Sequence, residues 1–204
     1  MIMMNPKIKK YIEENILTRY DNFSDGHDRS HVESVISTAV SSARELNLDE
    51  NIAYTAAAYH DVGIDRGRKF HHVYSREFFL ADENIKEFFT PEELDIIADA
   101  IEDHRASSDK EPRSIYGRIV ADADHAYDCR ELIRRTVLFG NVHYPELSDE
   151  EKLERAYSHL SEKYGPEGYI HFFLETDSMR KEREAFYTML ENKEQIYEEC
   201  RKYL

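Results

Sequence analysis

Tryptophan is absent, cysteine occurs twice, and basic residues are outnumbered by acidic ones, 27 to 42. Each shortage excludes something. Cys129 and Cys200 are too few and too far apart for a disulfide scaffold or a clustered thiolate metal site, and they suit a reducing interior. The net charge of -15 is spread along the chain, and a field of that sign disfavours a large nucleic-acid footprint. A local basic cleft for a small phosphorylated ligand remains compatible with it. Long apolar runs are also missing. The opening MIMMNPKIKKYIEENI turns charged before it reaches signal-peptide length, and nothing later approaches the roughly 18 apolar residues that span a bilayer. A cytoplasmic protein without a membrane segment is the expectation. Gly63 and Gly67 lack the strand-to-helix context of a phosphate-binding glycine loop.

What is present is helical periodicity and enough apolar content, 41% with ten Phe and fourteen Tyr, to argue against disorder. A length of 204 residues suits one substantial core. Ile8, Ile12 and Ile16 predict a first helix from Pro6 to near Tyr20, followed by a loop over DNFSDG. Asp28 caps a second helix carrying Val32, Val35, Ile36, Ala39, Ala43 and Leu46. An alanine-rich, almost uncharged helix from about Asp49 to His60 reads as central, with a polar loop over 62–70 after it. HHVYSREFFLAD resumes as a helix. Thr90-Pro91-Glu92-Glu93 starts another toward His104. After the polar run RASSDKEPRS, a helix bearing Ile115, Ile119, Val120, Ala123 and Tyr127 is expected to continue through Leu132 and Val137. Ser148-Asp149-Glu150-Glu151 opens the charged helices of the rest. Strand alternation is weak throughout, so the expected class is all-α: a helical domain over 1–140, with a helical extension over 141–204 packed on it.

The chemistry concentrates at a few histidines and aspartates. His60 follows Ile52 and Ala56 at four-residue spacing, which draws its ring toward an apolar face, and Asp61 places a carboxylate beside it. A buried imidazole needs a partner, and a metal with a neighbouring carboxylate is one solution. His27 and His31 are four apart at the entrance to their helix. Asp122 and Asp124 both lie in an apolar helical segment, two residues apart and so pointing to different sides; periodicity does not choose between them. Mixed imidazole and carboxylate ligands suit a divalent ion drawn from Mn, Fe, Co, Ni, Zn or Mg.

His31, then His60-Asp61, then an aspartate in ADADHAYD resembles the HD-domain superfamily of metal-dependent phosphohydrolases. DGHDRSHVESV, AAAYHDVG, HHVYSREF, IEDH and IVADADHAYD together resemble its small bacterial and archaeal members over about residues 16–140. The resemblance implies an HD-type helical bundle in which His31, His60, Asp61 and Asp124 hold the metal, with Asp124 favoured over Asp122. It implies attack of metal-activated water on a small phosphate ester, a nucleotide being one candidate. Asp61 takes a catalytic role beside its ligand role. In two-metal relatives histidines such as His71 and His104 complete a second site, with Asp61 bridging the ions, and in one-metal relatives they contact substrate phosphate or orient water; the one-metal arrangement is the expectation, with His27 facing the phosphate. Arg66, Arg68 and Lys69 form a local cationic cluster suited to the substrate's charge.

Ser34 stands where the related pattern commonly has arginine, and His125-Ala126 replaces a basic-apolar pair. These departures leave the metal set intact and support a second expectation, a metal-stabilised regulatory or ligand-binding module without turnover. Homo-oligomer formation is compatible with either. His143, His159 and His171 lie outside the resemblance and read as ordinary surface residues. Cys129 has no surrounding nucleophile motif.

Overall fold

A computed structural model of the chain describes residues 4–23, 27–105, 111–125, 128–170, 172–174 and 176–204. All regular structure among them is helical. The described residues divide into two units: those within Met1–Phe23, His27–His125 and Phe172–Asp177 form one, and those within Ala126–His171 and Ser178–Leu204 form the other.

The first unit is built around α3 (Glu50–Tyr59), all ten residues of which are buried. Its alanines at 53, 56, 57 and 58 let neighbouring helices approach closely, and this explains a helix without a polar face. Around it lie α1 (Pro6–Asn15), α2 (Arg29–Glu45), α4 (His71–Ala81), α6 (Pro91–Asp103) and α7 (Ile115–Asp124). The one-turn α5 (Glu83–Lys86) is capped by Asp82. Tyr20, Tyr59, Phe79, Ile97, Ile101 and Val120 are among the fully buried core side chains.

Capping residues set where the helices start. Asp28 accepts from the His31 N–H, and Thr90 forms the full capping box with Glu93; such caps are worth about 1 kcal/mol each. Two expectations fail on similar local grounds. The first helix ends at Asn15 rather than near Tyr20, and the chain tightens into a 3₁₀ segment over Leu17–Asn22. The helix expected to run from Ile115 through Val137 is two helices. Its first part ends at Asp124, where the His125 N–H turns back to the Asp122 carbonyl. The second, α8 (Cys129–His143), starts afresh because the Asp128 carboxylate accepts from the Arg130 and Glu131 N–H groups. The polar loop over 62–70 contains two short 3₁₀ turns, Ile64–Arg66 and Arg68–Phe70.

In the second unit α8, α9 (Asp149–Tyr164) and α11 (Lys193–Cys200) pack together, and α10 (Asp177–Leu190), from Ser178 onward in this unit, meets α9. Ser148 and Glu151 make the capping box that opens α9. Tyr164 meets Phe186 edge-on, and the Tyr157 hydroxyl donates to the Leu190 carbonyl. Parts of the expected loops DNFSDG (24–26) and RASSDKEPRS (106–110), part of ADADHAYD (126–127), and His171 lie outside the described residues. No described helix is long and apolar enough to cross a membrane.

Candidate metal centre

Five helix ends in the first unit converge on one cluster. His31 lies in the first turn of α2, His60 and Asp61 follow α3, His71 opens α4, His104 follows α6, and Asp124 closes α7. Helix ends suit this task because their backbone groups lack intrahelical partners and can orient side chains. Three rings are held in the same way: Nδ1 of His60, His71 and His104 donates to the carbonyls of Ala57, Arg68 and Ile101 at 2.7, 2.7 and 2.6 Å. A carbonyl only accepts, so Nδ1 is the donor in each ring and Nε2 is the nitrogen turned inward, where a ligand lone pair would be needed.

Those inward nitrogens crowd one another. Nε2 of His71 and Nε2 of His104 are 2.9 Å apart, and Nε2 of His60 is 3.3 Å from Nε2 of His31. Asp61 lies between the two pairs. Its Oδ1 is 3.2 Å from His71 Nε2 and 3.5 Å from His104 Nε2, while Oδ2 is 3.2 Å from His60 Nε2 and 2.7 Å from His27 Nδ1. Asp124 Oδ1 stands 3.0 Å from His31 Nε2 and 4.0 Å from His60 Nε2. Ligand atoms about 2.1 Å from a shared ion stand roughly 3.0–3.4 Å from each other. The spacing therefore fits divalent cations. The sets His31, His60, Asp124 and Asp61, His71, His104 each bring their ligand atoms within 4.8 Å of one another.

Burial sharpens the fit. His31, His60, Asp61 and His104 are at most 1% exposed, whereas Asp124 and the rings of His27 and His71 lie toward the accessible side. Burial alone would push the Asp61 carboxyl up, but the surrounding imidazoles, His60 and His27 foremost, hold it well below the usual carboxylate range. His60 is drawn upward although burial opposes it, because the Asp61 and Asp124 charges and the Ala57 carbonyl outweigh that penalty. Burial carries His71 down to about 4 against the pull of Asp61, which keeps its ring neutral and its lone pair available near pH 7. Asp61 Oδ1 is buried and accepts no hydrogen bond, and His27 Nε2 is likewise buried without a hydrogen-bond partner. An unsatisfied buried carboxylate oxygen facing two imine nitrogens is costly unless a cation sits among them.

Residues 29–126 match the protein-family model described as the HD domain. This segment is an HD domain. All six residues of the two sets fall inside the matched segment, and His27 lies just before it. Among solved structures, a crystal structure of a protein from Lactobacillus plantarum is similar, with a TM-score of 0.65 and 20% identity over 98% of this chain and 100% of that one. At that identity the likeness speaks for the fold alone. No curated protein matches the chain.

Within the HD domain the two aspartates of ADADHAYD part company. Asp124 reaches the histidines, while Asp122 faces away and accepts the Phe173 and Leu174 N–H groups at 2.8 and 2.7 Å. His71 and His104 stand against Asp61 as a second ligand-like set, a closer association than one-metal relatives suggested. His27 bonds Asp61 directly. The Arg66 side chain is engaged outside the cluster. Arg66 pairs with Glu77 at 2.8 Å, lies over the Tyr74 ring and lines a separate cavity of about 350 Å³ with Arg19 and Phe78. Lys69 lies over Phe70, and among the described residues neither it nor Arg68 forms a side-chain hydrogen bond or ion pair with the cluster. Sequence reasoning missed Tyr20, whose fully buried hydroxyl bonds at both sides of the His60 position: it donates to the Ala58 carbonyl at 2.9 Å and accepts the Asp61 N–H at 3.3 Å. Forty-one positions separate Tyr20 from Asp61, and no local pattern marks the contact.

Proposed function

We propose that the chain is a metal-dependent phosphohydrolase that acts on a small phosphate ester, a nucleotide being one candidate, and that it holds two divalent ions. The observation that supports this most is the position of Asp61, each of whose oxygens faces a different histidine pair. His31, His60 and Asp124 with Asp61 Oδ2 would hold one ion, and His71 and His104 with Asp61 Oδ1 the other. Such ions, when bound, lower the pKa of a coordinated water and offset charge on a phosphoryl group. The protein's own part is orientation. The carbonyls of Ala57, Arg68 and Ile101 fix three rings in the ligating tautomer. His27, held through Nδ1 by Asp61, presents Nε2 as the remaining polar group of the cluster. The test is turnover of nucleoside monophosphates, nucleoside triphosphates, cyclic dinucleotides and generic phosphate esters by metal-reconstituted protein. Turnover that disappears in Asp61→Asn supports the proposal. A wild-type chain that takes up no divalent ion sinks it.

A second reading, a metal-stabilised ligand-binding module without turnover, draws on one observation: Arg66, one of the cations expected to meet phosphate, is paired with Glu77 and lies over Tyr74. Specific turnover dependent on Asp61 would eliminate it.

A further inference from the structure

The backbone around His60 and Asp61 has a local conflict. In an uninterrupted helix the Ala57 carbonyl would accept the Asp61 N–H, but it accepts the His60 Nδ1–H at 2.7 Å. The Asp61 N–H donates instead to the Tyr20 hydroxyl, which in turn donates to the Ala58 carbonyl. Tyr20 sits on the 3₁₀ segment Leu17–Asn22, is 0% exposed, and packs edge-on against Phe23 at 5.3 Å. Its hydroxyl is thus fixed by the ring's packing and by two hydrogen bonds.

We infer that Tyr20 is a positioning residue for the metal centre: it replaces the helical acceptor that the His60 ring displaces, and so fixes the direction in which Asp61 leaves α3. Asp61 must present its two oxygens to two sides at once, so a small rotation about its backbone disturbs both sets. Without the hydroxyl, a buried N–H loses its acceptor exactly one bond from the Asp61 Cα, and the cheapest relief is a shift of that residue. The effect belongs to metal binding, and this inference rests on the metal-centre reading given above.

The experiment titrates Co(II), followed by its visible spectrum, into the wild type, Tyr20→Phe and Tyr59→Phe, with thermal melts of each metal-free protein. Tyr59 is the control. It is equally buried, and its hydroxyl donates to Asp82 at 2.6 Å, away from the cluster. Partners that orient ligands from behind are typically worth about 10–100-fold in metal affinity. Tyr20→Phe is therefore expected to weaken Co(II) binding by about that factor and to alter the cobalt spectrum, whereas Tyr59→Phe lowers the melting temperature and leaves both unchanged. Should Tyr20→Phe fold poorly, 3-fluorotyrosine at position 20 keeps the ring and hydroxyl while making the oxygen a weaker acceptor, and a smaller loss in the same direction is expected. Wild-type affinity and spectrum in the position-20 variants, or an equal loss in Tyr59→Phe, overturns the inference alone. Absence of Co(II) binding by the wild type overturns it together with the metal-centre reading.

Discussion

Gly63→Ala tests how tightly the turn after His60-Asp61 is bound to α4. The backbone at Gly63, with φ -88° and ψ 6°, is open to any residue, so conformational freedom is not why glycine is there. Space is. A Cβ at this position would lie 2.5 Å from the Ser75 nitrogen and 2.7 Å from the Tyr74 carbonyl carbon, both backbone atoms of α4 that cannot rotate away. The Gly63 N–H also donates to Ser75 Oγ at 3.0 Å, and Ser75 is fully buried. Overpacking of this kind costs about 1–3 kcal/mol, and a stretched buried hydrogen bond adds about 1 kcal/mol. Together they predict roughly 2–4 kcal/mol, a fall of roughly 5–15 °C in the melting transition of the HD-domain unit. Ser75→Ala, which loses the hydrogen bond without the clash, should cost less. Because His71 lies one helical turn before Ser75, the relief pushes α4 and its ligand away from Asp61. Metal titration should show the Asp61, His71, His104 set weakened before the other. The assay is thermal and urea unfolding of metal-free protein beside metal counts on loaded protein. A Gly63→Ala protein melting within about 1 °C of the wild type would refute the steric reasoning.

Asp124→Asn and Asp122→Asn should separate cleanly. The first is expected to weaken metal binding by about tenfold or more with little change in metal-free stability, and the second to leave metal affinity within a few-fold while costing about 1–3 kcal/mol, because an amide nitrogen cannot accept the Phe173 or Leu174 N–H; the opposite assignment would reverse the two variants in titration and urea melts. Chelation of loaded protein should lower its melting point, since an ion present at 100 times its dissociation constant contributes about 2.7 kcal/mol per site; identical melts with and without chelator would contradict this. Glu50 accepts from Arg44 through both carboxylate oxygens at 2.9 Å, and that pairing lowers its pKa against the opposing effect of burial. A carboxylate with a depressed folded pKa gives stability that is present above its unfolded value near 4.5 and lost as pH falls through the folded one. Urea midpoints for the wild type should therefore drop below pH 4.5 by more than those of Glu50→Gln; equal acid sensitivity would remove Glu50 from the account.

Much of this was legible in the sequence because it rests on local rules. Caps at Asp28, Thr90 and Ser148 were readable from residue type and spacing, and the buried character of α3 from its alanines and missing charge. The His60-Asp61 pair announced itself by position. The break between α7 and α8 is hidden in the sequence because apolar spacing runs on through it, and Asp128 followed by Glu131 is the capping signal that marks it. Asp122 and Asp124 could not be separated because the choice depends on Phe173 and Leu174, about fifty residues away. The partners of the cationic loop are not legible in the sequence for the same reason. Arg66 finds Glu77 and Tyr74 on α4, partners that composition alone does not reveal.

The central claim is that one carboxylate, Asp61, serves two ligand sets. Counting tightly bound divalent ions per chain, in wild type and Asp61→Asn reconstituted side by side, addresses it most directly. Two ions in the wild type and loss of both tight sites in Asp61→Asn are predicted. Fewer than two in the wild type, or two retained in the variant, would contradict it.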